Sequence, residues 1–261
     1  MAPVHEVPAP PAAWAPAPAT SKLPAITLGF WALKMAATTL GETGGDQISE
    51  AMHVGFLTTF VIFMAVFLAA VVAQVRAGRL VPALFWTVIV ATSAAGTEMA
   101  DFIFKTVGIG VVSGAMALVA PIVLIVALGR ITGGSFSVTD ITSRRDEVLY
   151  WATILTTNTI GTGLGDGLTA GLGVVGGTLV ASSMMGVVIW AYFRTSISRV
   201  VLFWAAFITT RPLGATGGDL LWQPHSAGGL GLGRIAVSIA LALFMVVLIA
   251  KASRDTARST T

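Results

Sequence analysis

Apolar stretches of about twenty residues follow one another along this chain, separated by short polar or basic links. Crossing the ~30 Å hydrocarbon core of a bilayer takes ~20 such residues. The pattern therefore predicts eight transmembrane helices, near 25–45, 54–75, 82–104, 107–129, 148–168, 171–193, 200–221 and 231–250. The even-numbered stretches are plainly apolar. The odd-numbered ones carry polar residues at a fixed interval, and that difference organises the chain.

Each odd stretch opens on an aromatic residue followed by tryptophan: Phe30-Trp31, Phe85-Trp86, Tyr150-Trp151 and Phe203-Trp204. Ten residues after each Trp stands a glycine (Gly41, Gly96, Gly161, Gly214), and fifteen after it an aspartate (Asp46, Asp101, Asp166, Asp219). Four recurrences at fixed offsets make the chain four copies of one two-helix unit, near 25–78, 79–130, 147–195 and 199–250. The expected fold is all-α and polytopic, with the four tandem repeats in a pseudo-fourfold arrangement. A membrane domain over 25–250 lies between a Pro/Ala-rich tail at 1–24 and a short tail at 251–261. The first tail holds seven of the eleven prolines, a composition that stays extended and has no core to bury.

Lysine and arginine set the orientation. Eleven lie on the side of the two tails, from Lys22 to Arg258, while the opposite side has only Lys105 and Arg234. Basic loops stay cytoplasmic, so both termini are expected in the cytoplasm and every odd helix runs outward. Trp to Asp is about 22 Å along a straight helix at ~1.5 Å per residue. The four aspartates should then share one level toward the outer leaflet, around an axis along the membrane normal.

Residues four apart stack on a helix. Positions 7, 11 and 15 after the Trp thus form one stripe: Thr38, Ser93, Asn158 and Arg211; then Glu42, Thr97, Thr162 and Ala215; then the aspartates. Groups of this kind in lipid turn toward other helices or water. The odd helices are therefore expected to form an inner ring and the even ones an outer ring. Hydroxyls that bond back to their own helix would account for the threonines, and a helix cap for an aspartate. Neither accounts for Glu42 and Glu98. Arg211 stands where the other repeats have a small polar residue, and Lys34 also lies within an apolar span. A buried guanidinium needs a carboxylate, with Glu42 or Glu98 the candidate partner, as a gate or as a structural ion pair. Pro212 predicts a kink beside it. Glycines crowd the approach to the aspartates, which suits close packing or broken helices with free carbonyls. Gly173 and Gly177, like Gly110 and Gly114, have the spacing of tight packing.

Composition narrows the chemistry. The chain of 261 residues is 55% hydrophobic and 10% charged, with no cysteine and three histidines. Thiolate metal sites and disulfides are excluded, and no phosphate loop or nucleophile–base pair is present, so an enzyme, a cofactor and nucleic acid are not expected. His53 and His225 read as solvated loop residues. The net charge of +3 reflects the membrane-flanking loops.

The aromatic-Trp start and Gly–Asp finish, at Trp31, Trp86, Trp151 and Trp204, resemble a bacterial membrane family known by a repeat of unknown function, described as two transmembrane regions with a characteristic Trp. The resemblance covers about residues 25–250. It implies a bacterial inner-membrane protein and no biochemical role. More loosely, the run from Glu42 to Ser49 is similar to the Glu-x-Gly-Asp-basic-Ser/Thr motif of manganese/calcium–proton exchangers, with one residue more between Glu and Asp and Gln47 at the basic position.

Carboxylates beside Gly-rich backbone suit hard cations. The residues predict a secondary transporter of a divalent metal such as Mn²⁺, exchanged for protons. Its ligands would be Glu42, Asp46, Glu98, Asp101, Asn158, Asp166 and Asp219, with the first half of the chain supplying most of the site and Arg211 acting as gate or ion pair. The alternatives are a proton-coupled carrier of a small organic solute, or a membrane scaffold or sensor that transports nothing. The expected partners are membrane lipid and the cation; the oligomeric state is left open.

Overall fold

The computed structural model describes residues 23–109 and 143–259, with a few helical positions between 120 and 131. All regular structure among them is helical. The tail at 1–22, most of the span at 107–129 and most of the basic link that follows lie outside the described residues.

Local chemistry sets the helix ends. Helix α1 (Leu28–Asp46) starts at Thr27, whose hydroxyl accepts from the Phe30 N–H at 3.2 Å. Helix α2 (Phe56–Ala77) follows, then α3 (Pro82–Asp101), which opens on a proline whose missing N–H costs nothing there. Helix α4 (Arg144–Arg194) is capped by Ser143, which accepts from the Asp146 N–H at 3.0 Å. Gly173, at φ 70° and ψ 171°, divides α4 into two arms at a conformation only glycine adopts readily. The expected pair of spans at 148–168 and 171–193 is thus joined by a bend rather than a loop, and Gly173 is a hinge rather than the packing residue its spacing suggested. Helix α5 (Arg199–Trp222) runs on as a helix through Pro212, and α6 (Arg234–Ser259) closes the fold. Short π-helical turns extend α1 over Gln47–Ala51 and α3 over Phe102–Thr106, just past Asp46 and Asp101.

Among the described residues, five helical stretches are long and apolar enough to cross a membrane. Helix α1 is not among them, because Lys34, Glu42 and Asp46 interrupt its 19 residues. The apolar windows sort by position. Those of Pro82–Thr106 and Arg199–Trp222 are 72% and 56% buried, against 22% and 11% for Phe56–Ala77 and Arg234–Arg254. The polar-striped helices are inside, and the plainer ones present their side chains outward.

Contacts among the inner helices follow one rule. Helix α1 packs on α3, α3 on α4, α4 on α5, and α5 back on α1. At the Trp end, the aromatic residue of one repeat meets the Trp of the next: Phe30–Trp86 at 5.6 Å, Phe85–Trp151 at 5.4 Å, Tyr150–Trp204 at 5.8 Å and Phe203–Trp31 at 5.6 Å between ring centroids. Three turns further, the motif glycine of one repeat lies against position 7 of the next. A Cβ on Gly41 would come within 2.5 Å of the Ser93 Cβ, one on Gly96 within 2.9 Å of Asn158, one on Gly161 within 2.5 Å of Arg211, and one on Gly214 within 2.5 Å of Thr38. The recurrent aromatic, Trp and Gly are therefore the contact residues of four successive helix–helix interfaces. Outside this ring α2 lies on α3 and α6 on α1, so each of these outer helices rests on the inner helix of the following repeat.

Candidate functional site

The stripe residues line the interior of the ring in layers. Arg211 is fully buried in the middle layer and reaches from α5 to the other three inner helices. Its Nη1 donates to the Thr38 carbonyl at 2.9 Å and its Nε to the Asn158 carbonyl at 3.3 Å. Its Nη2 donates to the Ser93 carbonyl at 2.9 Å, to the Thr162 hydroxyl at 2.7 Å and to the Thr97 hydroxyl. The same nitrogen lies 3.3 Å from Glu42 Oε2, the first of the two partners that the sequence offered. Thr97 in turn donates to that carboxylate at 2.9 Å. Each of these helical carbonyls has a second lone pair, which a planar fork can reach beside the motif glycines. This layer is filled and closed.

Toward the Trp end stands Lys34, fully buried, its Nζ 4.0 Å from the centroid of the Phe207 ring and 3.5 Å from Asn158 Oδ1. Asn158 donates to Thr92 at 3.2 Å. Asn158 is thus not brought to the carboxylates, as a ligand would have to be. At position 7 it sits two turns from the aspartates and belongs to Lys34 and Arg211.

Two turns outward the aspartates divide. Asp46 and Asp101 are buried and converge, while Asp166 and Asp219 are half-buried and stay outside that cluster. Asp219 accepts from the Trp222 indole N–H at 3.1 Å, and Asp166 is close enough to Glu42, Asp101 and Asp219 to feel their charge. The third member of the cluster is Glu50, which the sequence reading passed over. Oxygen atoms of Asp46, Glu50 and Asp101 lie within 4.8 Å of one another. Glu50 is at position 19 after Trp31, the next step of the 7–11–15 stripe, and the π-turn after Asp46 carries it there. Lys105 holds the same position after Trp86. Continuing the stripe by one turn would have found both.

Two cations sit between these carboxylates. Lys105 Nζ lies 3.0 Å from Asp101 Oδ1 and 3.2 Å from Glu50 Oε1. Arg234, the first residue of α6, places Nη2 3.0 Å from Glu50 Oε2 and 3.5 Å from Asp46 Oδ2. Its guanidinium lies over the Trp222 ring at 3.9 Å, and its Nη1 donates to the Asp46 carbonyl at 3.1 Å. Burial opposes the charge of Glu50, yet Lys105 and Arg234 hold its carboxyl below the usual carboxylate range. Neither Asp46 nor Asp101 caps a following helix with its side chain.

Four acids keep buried oxygens without a hydrogen-bond donor: Asp46 Oδ1, Asp101 Oδ2, Asp166 Oδ2, and both oxygens of Glu98. Glu98 lies against α1, so that a Cβ on Gly45 would come within 2.7 Å of its Oε1. The adjacent Ser49 hydroxyl donates to the Gly45 carbonyl at 3.1 Å and lies close enough to interact with Glu98 as well. Undonated buried oxygens are uncommon and call for a proton, a water or a cation. The donor set is all oxygen, the chemistry of a hard cation. His53 and His225 are both exposed and contribute nothing to it.

An apolar groove of about 420 Å³ opens at the Trp end between α1, α5 and the second arm of α4, with no carboxylate in its lining. It is separate from the acidic cluster.

No curated protein and no solved structure matches the chain. The Repeat of Unknown Function (DUF347) matches residues 29–79, 84–135 and 202–255, three of the four units and together more than half of the chain. The matched segments carry the aromatic-Trp starts, glycines and aspartates whose interfaces build the ring, and the chain belongs to the family of proteins made of this repeat.

Proposed function

We propose that this protein is a secondary transporter of a divalent cation, Mn²⁺-like in its preference for oxygen ligands, exchanged for protons across a bacterial inner membrane. In this reading the four repeats form a pseudo-fourfold bundle of eight helices, with the described cycle of contacts as its inner ring. Supporting it above all is the convergence of the buried Asp46 and Asp101 with the half-buried Glu50, one oxygen of each aspartate being left undonated. Glu98 lies one turn deeper and offers the next ligand toward the centre. Arg211, paired with Glu42, closes the axis beneath it. Passage of an ion requires that layer to open, so Arg211 is the gate.

The rival reading is a scaffold or sensor that moves no ion. One observation favours it: every arm of the Arg211 guanidinium is already bonded, as in a permanent structural tie. Flux decides between the two. In proteoliposomes loaded with a Mn²⁺-quenched dye, the purified protein is expected to carry Mn²⁺ against a proton gradient. Asp46→Asn, Asp101→Asn and Glu98→Gln are expected to abolish this with folding intact, and Asp166→Asn and Asp219→Asn to weaken it less. Full flux in the first three variants would remove the carboxylate site, and no flux in any protein would leave the scaffold.

A further inference from the structure

The side of the membrane domain that faces the aspartates has two basic residues, and both are spent on one cluster. Lys105 and Arg234 each touch two of its three carboxylates, and Glu50 is shared between them. Three carboxylates within 4.8 Å repel one another strongly, and when all three are ionised two tethered cations leave the group with a net charge of −1. A divalent ion that replaces both restores the same balance. A monovalent ion that replaces both leaves it at −2, and one that replaces a single cation must share the site with the other.

We propose that Lys105 and Arg234 are built-in competitors for the cation at Asp46, Glu50 and Asp101, and that displacing two charges at once makes the site select divalent over monovalent ions. The inference rests on the carrier reading and names what decides its substrate class. The geometry leaves Lys105 the freer of the two: its side chain is 45% exposed and has open solvent to swing into. Arg234, 11% exposed, has to give up the Trp222 ring and the Asp46 carbonyl to make way. The cluster also has oxygens to offer an ion, since Asp46 Oδ1 and Asp101 Oδ2 take no donor from either cation. A site occupied by its own cations part of the time binds a ligand with an affinity reduced to the fraction of time that it is free.

The test is Mn²⁺ binding to the full chain in nanodiscs, by isothermal titration with and without Na⁺. Lys105→Gln and Arg234→Gln are each expected to tighten Mn²⁺ binding about tenfold or more, the size of removing one close charge from a partly exposed site. Na⁺ is expected to compete in both variants and to have no effect on the wild-type protein. Asp101→Asn is expected to lose binding. Lys105 is exposed enough for its variant to fold, so the outcome does not depend on Arg234→Gln alone. Wild-type affinity or weaker in Lys105→Gln, with Na⁺ still inert, overturns the competitor assignment and leaves the carrier reading standing. Absence of Mn²⁺ binding in every protein overturns both.

Discussion

Arg211 shows what one substitution within a repeat can do. Its counterparts Thr38, Ser93 and Asn158 are short, and a long planar cation in their place reaches all three neighbouring helices at once. Removing one member of a buried ion pair leaves the other uncompensated, at a cost of about 3–5 kcal/mol. Arg211→Met is therefore expected to lower the thermal midpoint in detergent sharply, and Arg211→Lys to restore little, because an ammonium cannot supply the fork. Arg211→Met combined with Glu42→Gln should recover part of the loss, since no charge is then stranded. Equal damage in the single and double variants would mean that the carbonyl bonds, and not the ion pair, hold this layer. The sequence pointed to this pairing because a guanidinium in lipid has few options. It did not point to Glu50, Lys105 and Arg234 as a group, since π-turns and the start of a distant helix bring them together.

At the scale of the element, the motif glycines are interface residues first. Gly161 leaves no room for a methyl group against Arg211, whereas Gly217 on α5 has nothing within 4 Å. Alanine favours a helix over glycine by about 1 kcal/mol. Gly217→Ala is accordingly expected to keep or raise the thermal midpoint, and Gly161→Ala to lower it, with Gly41→Ala and Gly214→Ala behaving like the latter. A rise in all four would show that the ring is looser than its contacts imply. The recurrence of these glycines was plain in the sequence, but their reason was not. Clusters of glycine suit broken helices as well as close packing, and α1, α3 and α5 stay helical through theirs. Only Gly173 breaks its helix, and there the spacing had suggested packing.

For the whole molecule, orientation follows from charge. Reporter fusions at Gln47, Gly108, Thr169 and Gly228 are expected to read periplasmic, and fusions at Arg79, Arg145 and Arg199 cytoplasmic. A cytoplasmic signal at any of the first four would break the two-helix unit. Lys105 and Arg234 give the asymmetry a second meaning: the two cations at the aspartate end of the bundle are ones that the carboxylates hold. The layers of the ring also differ in role. The aromatic layer repeats without change, the middle layer has one arginine among small residues, and the carboxylate layer is buried only where repeats one and two meet. Repetition builds the frame, and departures from it place the chemistry.

The sequence by itself determined that the chain repeats, that its regular structure is helical and that a polar stripe faces inward. These depend on local apolar runs and on the 3.6-residue period, which act over a few residues. Tertiary structure decided that the ring closes from the last repeat onto the first, that Asp46 and Asp101 converge while Asp166 and Asp219 do not, and that Asn158 serves Lys34 and Arg211. Those outcomes turn on ångström-scale distances between helices far apart in the chain. Glycine contacts, π-turns and the reach of individual side chains set such distances, and no periodicity encodes them.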